Sequence, residues 1–245
     1  MPLTQHLEEL RWRLIWSLVV IIGAAVLCYN FADPLFAFLI YPLTAQTTDS
    51  VQLIGTGVTE AFFTKLKVSL IGGVFLASPV IFYQAWKFVA PGLYDQEKRY
   101  VVPFVFSATL FFVLGAAFCY VAVFPISYAF FLQQYRTIGI QPAIRISEYL
   151  SFTSRMLLAF GATFELPVVT FFLARLGLVT YRTMLGYLRY AILGIFIIAA
   201  ILTPGPDVAS QLLMVAPLLL LYLLSIGVAY VFAKPPATET DTAGQ

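Results

Sequence analysis

The sequence predicts an all-α membrane protein: a single bundle of six transmembrane helices with both termini on one side. Three observations carry that prediction. Of 245 residues, 61% are apolar and 11% charged, with a mean hydropathy of +0.90, whereas a soluble domain is about a quarter charged. The apolar residues come in continuous runs, not in the alternation of a transmembrane β-barrel. The 14 lysines and arginines fall unequally between alternate connections. The same composition excludes a disordered chain, and a net charge of +2 is too small to suggest nucleic-acid binding.

A helix needs about 20 mostly apolar residues to cross the hydrocarbon core. The first such run covers residues 14–31 and follows Glu8, Glu9, Arg11 and Arg13. Those acidic residues, and the lack of a small-residue cleavage site, distinguish it from a cleavable signal peptide. The second span covers 68–88, the third 101–122 with an extension past Pro125, and the fourth 156–176. The fifth, 190–202, is only about 13 residues long, or roughly 20 Å of helix. The sixth covers 212–232, and residues 235–245, with Pro235 and Pro236, read as a disordered tail behind a single domain of residues 1–234. Residues 32–67 and 128–155 hold enough prolines and apolar residues to fold as external caps. The link from Thr203 to Gln211 is tight, because Pro204, Gly205 and Pro206 prevent helix continuation. An aromatic content of 16% suits a chain with many bilayer interfaces.

Sidedness follows from the basic residues. Arg11, Arg13, Lys87, Lys98, Arg99, Arg175, Arg182, Arg189 and Lys234 share one side; Lys65, Lys67, Arg136, Arg145 and Arg155 share the other. The positive-inside rule therefore places both termini in the cytoplasm. Cys28 and Cys119 sit in apolar runs with no ligand-like spacing, and read as buried thiols. His6 is the only histidine, so neither a metal site nor a cofactor is expected.

Three places carry chemistry beyond topology. In Thr4-Gln5-His6-Leu7-Glu8-Glu9-Leu10-Arg11, a short amphipathic lead-in, Thr4 suits a helix cap and Glu9 lies four residues before Arg13, the spacing of a helical ion pair. In Phe88-Val89-Ala90-Pro91-Gly92-Leu93-Tyr94 and the charged run to Arg99, Pro91 and Gly92 stop the second helix. Glu97 then shares the cytoplasmic face with Glu9. Glu165 lies in the middle of an apolar run beside Pro167. A carboxyl group at membrane depth is costly unless neutral, paired or facing water, so a functional role is the default. Thr203 and Gln211 add polarity near the outer end of the short fifth span.

These pieces, in this order along residues 2–232, resemble the TatC family, the multi-spanning receptor subunit of the twin-arginine protein translocase. The resemblance is carried by His6-Leu7-Glu8-Glu9-Leu10-Arg11, by Phe88 to Tyr94 with Glu97-Lys98-Arg99, and by Ala159-Phe160-Gly161 with Phe164-Glu165-Leu166-Pro167. It continues in Thr203-Pro204 through Asp207 with Gln211 and Pro217, where Gly205 adds a residue to the family's Thr-Pro-Pro-Asp stretch. It implies a bent, glove-like bundle in the cytoplasmic (inner) membrane, without enzymatic activity. That bundle would bind the twin-arginine signal peptides of folded cargo and work with TatA- and TatB-type single-span proteins, driven by the proton-motive force. By resemblance Glu9 and Glu97 contact the arginine pair, with Arg11, Phe88, Pro91, Leu93 and Tyr94 in the same signal-peptide site. Glu165 is then an intramembrane polar site, and Thr203 and Gln211 contact a partner helix. Membrane lipid and further copies of the chain are the remaining expected partners. The alternative reading is a proton-coupled small-solute transporter built around Glu165, which would need further polar groups at midplane. An intramembrane enzyme lacks a second catalytic group at depth.

Overall fold

The structure, a computed structural model, describes residues 3–45, 52–89, 101–202 and 208–232. Pro91, Leu93, Tyr94, Glu97, Thr203 and the tail expected at 235–245 lie outside the described residues. The chain divides into two units, Met1–Ala162 and Thr163–Gln245.

In the first unit, α1 (Leu3–Tyr29) and α2 (Ala32–Thr44) precede β1 (Gln52–Ile54) and α3 (Glu60–Val89). Then come α4 (Val101–Phe118), a π-helical turn (Cys119–Val123), α5 (Phe124–Thr137), β2 (Ala143–Arg145) and the first half of α6 (Ile146–Arg175). The helices outrun the apolar runs that announce them. Polar first turns such as Leu3–Arg13 and Glu60–Lys67 simply continue the α-helix, so the helices expected from residues 14 and 68 start about three and about two turns earlier. The segments expected as caps, 32–67 and 128–155, contain α2 and parts of α3, α5 and α6. They also pair β1 with β2 in parallel, Leu53 opposite Ile144, a ladder the apolar pattern did not announce.

α1 and α3 form an antiparallel hairpin whose register is fixed at four levels. His6 stacks on Phe88, Arg13 bonds Gln84, Ala25 packs on Gly73, and Asp33, just beyond α1, pairs with Lys65 at 2.7 Å. As one number rises the other falls in step. The closest approach is at Gly73, where a Cβ would sit 2.7 Å from the Ala25 nitrogen. Helices in a bilayer lack a hydrophobic drive toward one another, so such small-residue contacts supply the packing.

Prolines inside helices free carbonyls four residues earlier, and at two of them a hydroxyl answers the freed carbonyl. Pro79 frees the Phe75 carbonyl, which accepts from Ser78 Oγ at 2.7 Å. Pro42 frees the Phe38 carbonyl, which accepts from Tyr120 Oη at 2.8 Å while the Phe38 and Tyr120 rings stack. Ahead of Pro125 the helix widens into the π turn, and the Phe124 N–H reaches back five residues to the Cys119 carbonyl. Such a turn absorbs the lost N–H of the proline without ending the helix. This explains why the third span runs on as far as Thr137.

Glu60 ties the strand end of this unit together. Its Oε2 accepts from the N–H groups of Thr56 at 2.5 Å and Gly57 at 3.1 Å, and its Oε1 from Ser147 at 3.0 Å. One carboxylate thus joins the turn before α3 to the first turn of α6, where backbone N–H groups have no helical partner. Phe124, Leu150, Met156 and Phe160 form the fully buried core, with Tyr128 Oη and Thr153 Oγ1 bonded within it at 2.9 Å. Cys119 is buried as expected. Cys28 is only half-buried and borders an apolar hollow of about 670 Å³, lined also by Leu35, Phe38, Ile71, Gly72 and Tyr120.

The second unit holds the rest of α6, α7 (Tyr181–Gly186), α8 (Leu188–Leu202) and α9 (Val208–Phe232). The Thr180 side chain caps α7 by accepting from the Thr183 N–H. Tyr222 Oη donates to the Met184 carbonyl at 2.9 Å, and Gln211 Nε2 donates to the Phe196 carbonyl at 3.0 Å, so α9 is pinned to both preceding helices. Among the described residues, five helices are long and apolar enough to cross a membrane. The run expected as the fifth of six spans, α8, has 15 residues, about 22 Å of helix against a core of about 30 Å.

Candidate functional site

The polar residues singled out in the lead-in meet at the start of α1, against the last turns of α3. Along a helix, positions three and four apart share a face, so His6, Glu9 and Arg13 form one stripe while Arg11 lies on the other side. The structure follows that geometry: the stripe is half-buried against α3 and Arg11 is exposed. The His6 and Phe88 rings stack with centroids 4.3 Å apart. The Glu9–Arg13 pair expected from spacing forms, with Arg13 Nε donating to Glu9 Oε1 at 3.2 Å and Nη2 donating to the same oxygen. Arg13 Nη1 then reaches across to Gln84 Oε1 at 3.4 Å. The two charged side chains keep 26% (Glu9) and 19% (Arg13) of their surface, so the pair is neither fully wet nor sealed.

Gln84 escaped the sequence reading. The available signal was a single amide in the apolar stretch between Ser78 and Lys87, positioned one turn before Phe88. Lys87 adds a second cation at this end, its Nζ 4.6 Å from the Tyr83 ring centroid. The result is a carboxylate with one oxygen engaged by a guanidinium, flanked by an aromatic stack. It suits recognition of a cationic, planar group. Among the described residues no group of histidine, cysteine and carboxylate side chains has metal-binding geometry.

The other site candidates stand elsewhere. Glu165 lies within α6, in the second unit, its two carboxyl oxygens shielded from solvent. Gln211 opens α9 and spends its amide N–H on α8. Thr203, like Pro91, Leu93, Tyr94 and Glu97, lies outside the described residues; of the expected signal-peptide residues, Phe88 stacks on His6, one turn before Glu9 on α1, and Arg11 is exposed.

The fold defines a multi-pass α-helical membrane protein with a polar cluster where the start of α1 meets the end of α3. The family model for TatC, the Sec-independent protein translocase protein, matches residues 5–217. The chain is 46% identical over 244 residues to the Sec-independent protein translocase protein TatC of Desulforapulum autotrophicum, covering 100% of this chain and 90% of that one. It is 44% identical to the TatC of Carboxydothermus hydrogenoformans, covering 96% and 95%. The crystal structure of a twin arginine translocase receptor, TatC, superposes with a TM-score of 0.82 at 38% identity, covering 91% of this chain and 97% of that one. The chain belongs to the TatC family. It is therefore a protein-transport component of the Tat system and not an enzyme.

Proposed function

We propose that this chain is the signal-peptide receptor of its translocase, binding the paired arginines of a twin-arginine signal peptide through Glu9 and Glu97. The observation that carries the reading is Glu9 itself, held on α1 beside the last turns of α3 with its second carboxylate oxygen, Oε2, accepting from no described residue. Glu97 follows Phe88 by nine residues and precedes the start of α4 by four, so covalent connection supports its sharing this end. Arg11, Phe88, Pro91, Leu93 and Tyr94 complete the site, the apolar members contacting the peptide beyond its arginines. An arginine contributes a planar fork that a lysine cannot reproduce, although each contact with a partly exposed carboxylate is worth only about 0–1 kcal/mol.

In this reading the chain forms a single domain of six spans, 14–31, 68–88, 101–122, 156–176, 190–202 and 212–232, in the inner membrane with both termini cytoplasmic. It works as several copies with TatA- and TatB-type single-span partners, and the proton-motive force drives export of folded cargo. Thr203 and Gln211 receive a partner helix where the short α8 leaves the bilayer incompletely spanned. Glu165 supplies a polar contact at depth for that helix or for water. The test is retention of the full chain on immobilised twin-arginine against twin-lysine peptide. Stronger retention on arginine than on lysine, weakened in Glu9→Gln and in Glu97→Gln, is expected. Equal retention on both peptides refutes the assignment.

A further inference from the structure

We propose that Arg13 is a positioning residue of the Glu9 site, a resident guanidinium that makes the site selective for arginine over lysine. The inference rests on the receptor reading above and adds a residue to it. Both Arg13 nitrogens that face Glu9 converge on one oxygen, Oε1, and the third is held by Gln84 of α3. The carboxylate is therefore fixed in rotation, and Oε2 is the acceptor it presents. Arg13 also cancels most of the charge of Glu9. A bare carboxylate would attract any cation through its field, whether ammonium or guanidinium. A neutralised carboxylate with one aimed oxygen attracts mainly by directional hydrogen bonding. That favours the weakly hydrated guanidinium over the strongly hydrated, compact ammonium. The two helices give the clamp its stiffness, because Arg13 spans from α1 to α3 between the His6–Phe88 stack and the Ala25–Gly73 contact.

The experiment measures binding of a twin-arginine and a twin-lysine peptide to the purified full chain in detergent, for the parent, Arg13→Gln, Arg13→Lys and Glu9→Gln. Arg13→Gln keeps a hydrogen-bond donor and removes the charge. It should narrow the arginine-to-lysine ratio by about three- to tenfold, chiefly by gaining lysine binding, as expected for unmasking one partly screened charge. Arg13→Lys keeps the charge and should keep at least half of the ratio. An unchanged ratio in Arg13→Gln, including equal loss of both peptides, overturns the proposal, as does a ratio that collapses equally in Arg13→Lys. A parent chain without arginine preference, or one indifferent to Glu9→Gln, instead overturns the receptor reading itself.

Discussion

Replacing Gly73 by alanine should push α1 and α3 apart, and the size of the effect follows from the geometry. The new methyl carbon would lie 2.7 Å from the Ala25 nitrogen and 2.8 Å from its Cα. Both are backbone atoms, so no side chain can swing away. Ordinary van der Waals contact needs about 3.4 Å or more, so the helices must separate by roughly 0.7 Å. Overpacking of this kind costs about 1–3 kcal/mol, or about five- to 150-fold in the folded population. Two neighbours provide the scale. At Gly23 an added Cβ meets nothing within 4 Å, and alanine there should stabilise by up to about 1 kcal/mol through helix propensity. At Gly72 it meets Cys28 Sγ and Leu35 Cδ1, both at 3.2 Å. These are side-chain atoms bordering the apolar hollow, so the cost should be intermediate. The assay is reversible unfolding of the full chain in detergent micelles. The same displacement, carried about 16 Å along α3 to Gln84, would stretch the 3.4 Å Arg13–Gln84 bond beyond hydrogen-bonding range. Peptide binding should therefore fall together with stability. If Gly73→Ala unfolds like Gly23→Ala, the close approach is not what fixes the hairpin and the reasoning fails.

Three further outcomes are expected. Tyr120→Phe strands the Phe38 carbonyl that Pro42 cannot satisfy, costing about 1–3 kcal/mol; in a Pro42→Ala background, where the N–H of residue 42 returns, the same change should cost under about 1 kcal/mol. Equal costs in the two backgrounds, measured by the same unfolding assay, would break the link. Photo-crosslinkers at Thr203 and Gln211 should capture a single-span partner helix under transporting conditions, and adducts to lipid alone would count against a partner there. Export of a folded reporter at matched membrane levels should fall more for Glu165→Ala than for Glu165→Gln, since glutamine keeps the hydrogen bonding. If alanine exports like the parent, Glu165 is a tolerated residue.

The parts of the fold legible in the sequence were those written as composition. Continuous apolar runs located every long helix among the described residues, and the four-residue spacing of Glu9 and Arg13 announced an ion pair that forms. The expected C-terminal ends agree with the structure to within about two residues for α1, α3, α6, α8 and α9, but the starts of α1, α3 and α6 were not legible, because a polar turn such as Glu60–Lys67 continues a helix as readily as an apolar one once tertiary contacts hold it. Glu60 shows why: its carboxylate bonds the backbone of Ser147, 87 residues away, and no local pattern records that partner. The hydroxyls of Ser78 and Tyr120 belong to the same class. Each answers a carbonyl freed by a proline, but only Ser78 is close in sequence, so only that one was open to local reasoning.

The site shows the same division at higher stakes. Glu9 was legible as chemistry, whereas its restraint was not, since Gln84 reaches Arg13 only because α1 and α3 run antiparallel in one register. Gly73 against Ala25 is one of the four contacts that hold that register, and it involves no side-chain polar atom to draw notice. A slip of one residue between the helices would move Gln84 by about 1.5 Å along the axis and turn it by about 100°, which removes it from Arg13 altogether. The geometry around Glu9 thus depends in part on a contact some 16 Å away, at a glycine that lets two backbones approach closely. This is why a packing substitution at Gly73 and a charge substitution at Arg13 should both alter peptide recognition, the first by moving the clamp and the second by removing it.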